Sequence, residues 1–280
     1  MKTVTWVFLA CAFPLAAADE RLVGSASPAG IANSSPAAPA IADAVTGEPA
    51  GHTAEISTAE LRRILEAGSA TVFDARPHLE FALSHIPGAI NVSAKPGVPM
   101  SAYVSDVVEI GRVMRDRHDA PIVLYCNGPF CGKSKRLAEE LLAAGYTNVR
   151  RYQLGIPVWR ALGGVTVIEA DGLEHVLAHD PTAVCLDTRD SAAFRGGSLP
   201  QAQWLPRSRV LEGKDVGEVK RAKDDGRLPM NDHNTRVIVI SDDPADARFV
   251  AQALAREAFH NVSYFAGGMD LAIGVAHRGH

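Results

Sequence analysis

An internal repeat constrains the fold of this 280-residue chain more than any other feature. Residues 72–76 (VFDAR) return as residues 185–189 (CLDTR), a shift of 113 positions from Asp74 to Asp187. Four further pairs have the same shift: Phe81 and Phe194, Pro87 and Pro200, Leu141 and Leu254, and Gly155 and Gly268. A shift kept over so long a stretch indicates two homologous units of about 110 residues each, a typical domain size.

Each unit alternates short apolar runs with helical patterns. In the first unit, residues 70–74 and 122–125 are apolar runs typical of buried strands, and Val149 begins another. Residues 133–144 have apolar side chains at helical spacing. This alternation predicts an α/β fold with two tandem domains, each a parallel sheet with helices on both faces. Reactive groups in such sheets lie at the carboxyl ends of strands, where Cys126 follows residues 122–125.

Charge and cysteine content argue against several classes of protein. The net charge of -4 and the isoelectric point near 6.2 give no electrostatic reason to expect nucleic acid or an anionic membrane as partner. Four cysteines are too few for a disulfide framework in a chain of this length. Each cysteine is therefore interpreted individually.

The first 18 residues have the pattern of a signal peptide. Lys2 precedes the apolar run 3–13, and three alanines at 16–18 form a cleavage motif. The run is too short for a permanent transmembrane helix, which needs about 20 residues. The alternatives are a buried N-terminal helix and a lipid anchor at Cys11, which lies early for that role. We expect a periplasmic or secreted protein without a membrane span.

Residues 19–52 are rich in alanine, proline and serine. They contain too little bulky apolar surface to offset the conformational entropy of folding. This composition predicts a disordered linker ahead of the folded part.

Three ordered motifs of the first unit together resemble a rhodanese-like domain. They are residues 74–91, ending in HIPGAIN; residues 125–146, in which Tyr125 and Cys126 open a glycine-containing loop before Ser134 and an amphipathic helix; and residues 148–159 (NVRRYQLGIPVW). Leu154 replaces one of the paired glycines usual in the last motif. The resemblance is strong over about residues 53–165 and weaker over about 168–275. It implies two rhodanese-like domains, residues 53–166 and 167–280.

The resemblance implies a sulfurtransferase that uses Cys126. The thiolate accepts sulfane sulfur from thiosulfate or a similar donor and passes it, as a persulfide, to a thiophilic acceptor. No metal or organic cofactor is expected. The loop residues implied in substrate binding are Asn127, Gly128, Pro129, Phe130, Cys131, Gly132, Lys133 and Ser134. Asp74, Arg76 and His85 are expected to support the site, the first two as a structural ion pair and His85 as a hydrogen-bonding histidine.

The residues around Cys126 suit this chemistry. A cysteine in a loop that leads into a helix N-terminus meets converging N–H groups and the positive end of the helix dipole, which favour the thiolate. Lys133, Lys135 and Arg136 add positive charge nearby. The alternative is that Cys126 is a buried strand-end cysteine without reactivity, as Cys185 is expected to be in the second unit.

Cys131 has three possible roles. It can resolve a persulfide or sulfenate on Cys126 by forming a disulfide, line the loop as a structural thiol, or bind a metal, the last being the weakest because no histidine lies nearby. A cysteine phosphatase or arsenate reductase requires an arginine after the five residues that follow the nucleophile. In this chain that position is Gly132. That alternative is therefore disfavoured.

The second unit has Ser241, Asp242 and Asp243 in the region of the active loop. Serine cannot hold a persulfide, and two carboxylates repel thiosulfate. The strand alignment also makes this loop about two residues shorter than its counterpart after Cys126. We expect a catalytically silent domain that packs or binds a protein partner.

Two functions remain open at this point. One is the sulfurtransferase, whose partners are a small-molecule sulfur donor and a thiophilic acceptor. The other is a non-catalytic rhodanese-like module that binds a partner or senses oxidation through the pair Cys126 and Cys131.

Overall fold

The computed structural model of the chain describes residues 52–99 and 101–278. The predicted signal peptide, Cys11 and the predicted linker up to residue 51 lie outside this range. Within it lie two five-stranded sheets, and all of their strand pairs are parallel. None of the helices in the described part is long and apolar enough to cross a membrane.

The first sheet has the strand order β1-β5-β4-β2-β3, which places β4 at its centre. Its elements are β1 Ala54–Glu55, α1 Thr58–Ala67, β2 Thr71–Asp74, α2 His78–Leu83, β3 Ile90–Asn91, α3 Asp106–Met114, β4 Ile122–Tyr125, α4 Gly132–Ala143, β5 Val149–Tyr152 and α5 Gly155–Ala161. The predicted strand at residues 122–125 is confirmed, as is the start of β5 at Val149.

The second sheet repeats this order as β6-β10-β9-β7-β8. Its elements are β6 Thr166–Ile168, α6 Ala170–His179, β7 Val184–Asp187, α7 Ser191–Gly196, β8 Gln203–Trp204, a 3-10 turn at Arg207–Arg209, α8 Gly217–Asp224, β9 Val237–Ile240, α9 Pro244–Arg256, β10 Val262–Phe265 and α10 Gly268–Arg278. β6 pairs with β10 from Thr166 onward, so the second sheet begins at that residue.

Helices cover both faces of each sheet, as predicted. Successive strand residues point to opposite faces, so Val123 packs with Leu61 of α1 while Leu124 packs with Ile110 of α3 and Leu141 of α4. The strands are buried on both sides, which explains why their sequences are continuous apolar runs and do not alternate with polar residues.

The number of residues that separates corresponding strands of the two domains is largest at the central strand. β7 and β10 begin 113 positions after β2 and β5, whereas β9 begins 115 positions after β4. The loop between β4 and α4 spans residues 126–131, and its counterpart between β9 and α9 spans 241–243. The longer loop predicted in the first domain is therefore present.

The two domains pack through α2 and α6. The amide of Glu169 donates to the carbonyl of Ala82 at 2.8 Å, and His85 and Val167 exchange two backbone hydrogen bonds of 3.0 and 2.9 Å. Gly172 lies so close to α2 that a Cβ on it would overlap the Ala82 carbonyl. The helices approach this closely because position 172 has no side chain.

We expect Gly172→Ala to destabilise the protein by about 1–3 kcal/mol, because the added methyl forces α2 and α6 apart. Gly274→Ala is the matched control: it lies inside α10, and a Cβ there meets no atom within 4 Å. The control should be neutral or up to about 1 kcal/mol stabilising, because alanine favours the helix. Urea unfolding measures both. Equal stabilities for the two variants would contradict the close packing.

Candidate active site

Cys126 directly follows the central strand β4, between the ends of β2 and β5. The amide of Ala75, just after β2, donates to the Tyr125 carbonyl at 2.9 Å, and the amide of Ile156, in α5, donates to the Cys126 carbonyl at 3.3 Å. The Cys126 residue is 3% exposed. The residue after β2 and the start of α5 thus fix the backbone from which this side chain projects.

Cys126 and Cys131 are joined by a disulfide. Cys131 is the N-cap residue of α4, and its amide donates to the Gly128 carbonyl at 2.9 Å, which closes the loop into a turn. The loop therefore brings the two sulfurs within bonding distance, which the sequence could not show. Among the residues described, no group of three or more His, Cys, Asp or Glu side chains is placed to hold a metal ion.

A close backbone contact holds the loop against α5. Gly155 has a φ of 62°, and a Cβ on it would overlap the carbonyl oxygen of Cys126 and the amide of Gly128. Gly128 itself has a φ of 118°, which side chains rarely adopt. The second domain has Gly268, with a φ of 80°, at the position that matches Gly155.

Two side chains that the sequence did not single out bind the loop. The amide group of Gln153, directly after β5, donates to the carbonyls of Pro129 at 3.0 Å and Cys131 at 3.4 Å. The carboxylate of Glu80, in α2, accepts a 2.5 Å hydrogen bond from the side chain of Asn127. The position of Gln153 at a strand end was a usable signal. Glu80 lies 47 residues from its partner, so its role follows from the fold alone.

The N-terminus of α4 faces the loop. This 12-residue helix has no acidic residue in its first turn, so its dipole is not neutralised there. Ser134 is buried, and its hydroxyl has no hydrogen-bond partner in the described part of the chain. Lys133, expected to add positive charge to the site, lies 3.7 Å from Asp106, which reduces its contribution. Phe130, in contrast, is 74% exposed.

Arg136, one of the two other positive charges expected near the loop, also lies close to an acidic residue. Arg136 lies one turn into α4, with its Nε 3.7 Å from the carboxylate of Glu140. Gly132 is the first residue of the helix and is exposed. The dipole of α4 also favours an anion at this end of the helix.

Asp74 and Arg76 form a buried bidentate ion pair, with Nε–Oδ1 and Nη2–Oδ2 distances of 2.9 and 2.6 Å. Arg76 also donates to the Ser84 carbonyl at 2.5 Å, and Asn91 donates to the Asp74 carbonyl at 2.9 Å. The pair therefore fixes the segment between α2 and β3. This arrangement is that of a structural support.

His85 lies at the contact between the domains, where a hydrogen bond and ring stacking hold it. Its Nδ1 lies 3.1 Å from the Phe81 carbonyl, and the two rings stack with centroids 3.8 Å apart. Burial lowers the pKa of His85 to about 4, although the Phe81 carbonyl acts in the opposite direction. Since the ring is uncharged near neutral pH, its 3.6 Å approach to Glu169 is a polar contact and not a salt bridge.

The second domain places a serine where the first has Cys126. Ser241 follows β9 and is buried. Asp243 caps α9 by accepting the Ala245 amide at 2.8 Å, and Asp242 lies 3.7 Å from Arg189. Cys185 is a core residue of β7, as predicted, and burial raises its pKa to about 11. That thiol is therefore uncharged at neutral pH.

The sequence profile of the rhodanese-like domain matches residues 57–162 and again residues 170–271. The chain belongs to the rhodanese-like domain family. A putative thiosulfate sulfurtransferase, SseB, of Mycobacterium tuberculosis is 28% identical over 254 residues, which cover 71% of this chain and 87% of that protein. An HTH-type transcriptional regulator of the same species is 35% identical over 120 residues, or 43% of this chain, and the chain spans 47% of that regulator.

Solved structures with a rhodanese fold are also similar to this rhodanese-like protein. A thiosulfate sulfurtransferase from Pseudomonas aeruginosa is 20% identical, with a TM-score of 0.33, over 77% of this chain and 43% of that one. SseA from Escherichia coli, a 3-mercaptopyruvate sulfotransferase, is 18% identical with the same TM-score, over 77% of this chain and 98% of that one. Family membership supports sulfurtransferase chemistry for the chain.

The pKa of His85 predicts a pH dependence of stability. Because the folded protein holds His85 neutral down to a pKa of about 4, and an unfolded histidine titrates near 6.5, protonation favours the unfolded state. Stability is therefore lost as the pH falls through this window. The free energy of unfolding, measured with urea, should fall by about 2 kcal/mol less for His85→Asn than for wild type between pH 7 and pH 5. An identical loss in both proteins would show that His85 is not held neutral by the fold.

Proposed function

We propose that the first rhodanese-like domain moves sulfane sulfur from thiosulfate or a similar donor to a thiophilic acceptor through a persulfide on Cys126. The observation that carries this proposal is the position of Cys126 at the end of the central strand, in a loop that leads into the N-terminus of α4. Backbone amides and the helix dipole stabilise an anion at that place, whether a thiolate, a persulfide or bound thiosulfate.

The reaction begins once the disulfide between Cys126 and Cys131 has been reduced. The Cys126 thiolate attacks the outer sulfur of thiosulfate, the sulfur–sulfur bond of the donor breaks, and sulfite leaves with the bonding electrons. The acceptor then attacks the terminal sulfur of the persulfide, and Cys126 leaves as a thiolate. The chain's own groups supply the nucleophile and the anion-stabilising amides for both steps.

The second domain is proposed to be catalytically silent. Ser241 cannot form a persulfide, and Asp243 occupies the cap position of α9 with a carboxylate. Its packing against the first domain through α6 and Gly172 supports a structural role, and an interaction with a protein partner is compatible with the same arrangement.

A second candidate function is favoured by the disulfide itself. In that case the pair Cys126 and Cys131 senses oxidation, and the domain transfers no sulfur. Sulfite release distinguishes the two functions, because a sensor that forms a disulfide with a general oxidant does not cleave thiosulfate.

Export of the protein remains a proposal that rests on residues 1–18 and their cleavage motif. A periplasmic or secreted location is compatible with a cysteine pair that is found oxidised.

The test of the sulfurtransferase is a single turnover. We expect the fully reduced, desalted chain to release about one sulfite per molecule on mixing with thiosulfate. Cys126→Ser should lower the rate by at least about 100-fold, because the nucleophile is gone. Cys185→Ser is the matched control and should react like wild type, because that thiol lies in the core of the other domain. Sulfite release by Cys126→Ser at the wild-type rate, or none by wild type, would exclude the proposed reaction.

A further inference from the structure

We propose that Cys131 is a second catalytic residue, which attacks the Cys126 persulfide, releases hydrosulfide and leaves the disulfide seen in the structure. The first domain then acts as a thiosulfate-reducing, sulfide-releasing unit that draws its electrons from a dithiol. This inference rests on the proposed persulfide, but it assigns a different fate to the transferred sulfur.

The position of the disulfide identifies the sulfur that is attacked. Cys131 Sγ is bonded to Cys126 Sγ, which becomes the inner sulfur of the persulfide. Attack on the inner sulfur expels the outer one as hydrosulfide, whereas attack on the outer sulfur would only move the persulfide to Cys131. The loop is shaped for the first of these reactions.

The fold keeps the two cysteines together without relying on the disulfide alone. The turn from Gly128 to Cys131 is closed by a backbone hydrogen bond, Gln153 binds the carbonyl of Cys131, and Gly155 lies against the carbonyl of Cys126. A nucleophile held in this way reacts within the molecule, and effective concentrations for well-oriented groups far exceed those of free acceptors. Resolution by Cys131 therefore competes well with an external thiol.

The location of Cys131 also activates it. Cys131 is the N-cap residue of a 12-residue helix without acidic residues in its first turn, so it lies at the positive end of the helix dipole. A thiolate that forms at such a position, after the disulfide is reduced, is stabilised by the helix dipole. In the second domain the cap of the equivalent helix is Asp243, which stabilises the helix but provides no nucleophile.

The atoms and electrons balance over the cycle. Thiosulfate and two thiols give sulfite, hydrosulfide, one proton and the disulfide. The sulfane sulfur gains two electrons, and the two cysteines lose them as their sulfur–sulfur bond forms. A dithiol reductant must then reset the pair, and one of its sulfurs attacks a cysteine of the disulfide.

Exposure indicates where the reductant attacks. Cys131 is partly exposed, whereas Cys126 is 3% exposed. The choice of sulfur in thiol–disulfide exchange depends on access, so the reductant forms its mixed disulfide with Cys131. Cys126 then leaves as the thiolate that the next turnover requires.

The experiment is one anaerobic turnover of the full chain, reduced and desalted, with thiosulfate and no added thiol. Sulfite, trapped sulfide and intact mass are measured together. Wild type and Cys185→Ser should each give about one sulfite and about one sulfide per chain and lose about 2 Da as the disulfide forms. Cys131→Ser should give about one sulfite, no sulfide, and a gain of about 32 Da from the retained persulfide. Cys131→Ala is a second variant with the same expected result.

The outcomes separate this inference from the proposed function. A wild-type chain that releases sulfite, keeps the added sulfur and gives no sulfide would overturn the role of Cys131 and leave the sulfurtransferase intact. Sulfide release by Cys131→Ser at the wild-type level would overturn it as well. If neither protein releases sulfite, the persulfide itself is refuted and both proposals fall.

Discussion

The backbone of the loop after β4 lies against the start of α5, and the geometry of the candidate site depends on this contact. Gly155 leaves no room for a side chain beside the Cys126 carbonyl and the Gly128 amide. The loop must therefore turn sharply at the end of the central strand, and the turn brings Cys131 back to Cys126 at the N-terminus of α4. The six residues 126–131 thus bring the nucleophile Cys126, its disulfide partner Cys131 and the N-terminus of α4 together.

The two domains show how one framework supports two different loops. Sheet order, helix coverage and the glycine at the start of the last helix are the same in both, because they determine packing. The loop after the central strand differs in length and chemistry: residues 126–131 carry two cysteines, and residues 241–243 carry a serine and two aspartates. The two domains thus differ most in the loop after the central strand, while their cores keep the pattern of the repeat.

Local patterns predicted the framework well. The strand Ile122–Tyr125, the start of β5 and the core position of Cys185 follow from apolar runs, which the parallel sheet buries on both faces. Contacts between residues far apart in the chain could not be predicted from the sequence. The hydrogen bond from Asn127 to Glu80 and the packing of Gly172 on α2 join residues far apart in the chain, and the disulfide depends on a loop conformation that spacing alone does not define.

The central claim is that Cys126 transfers sulfur only when its bond to Cys131 is open. Its most direct test is to equilibrate the protein in dithiothreitol buffers of graded redox ratio, desalt it, and measure both the disulfide fraction and the initial rate of sulfite release from thiosulfate. The account predicts that the rate rises in proportion to the dithiol fraction. A full rate with the disulfide intact, or none with both thiols free, would contradict it.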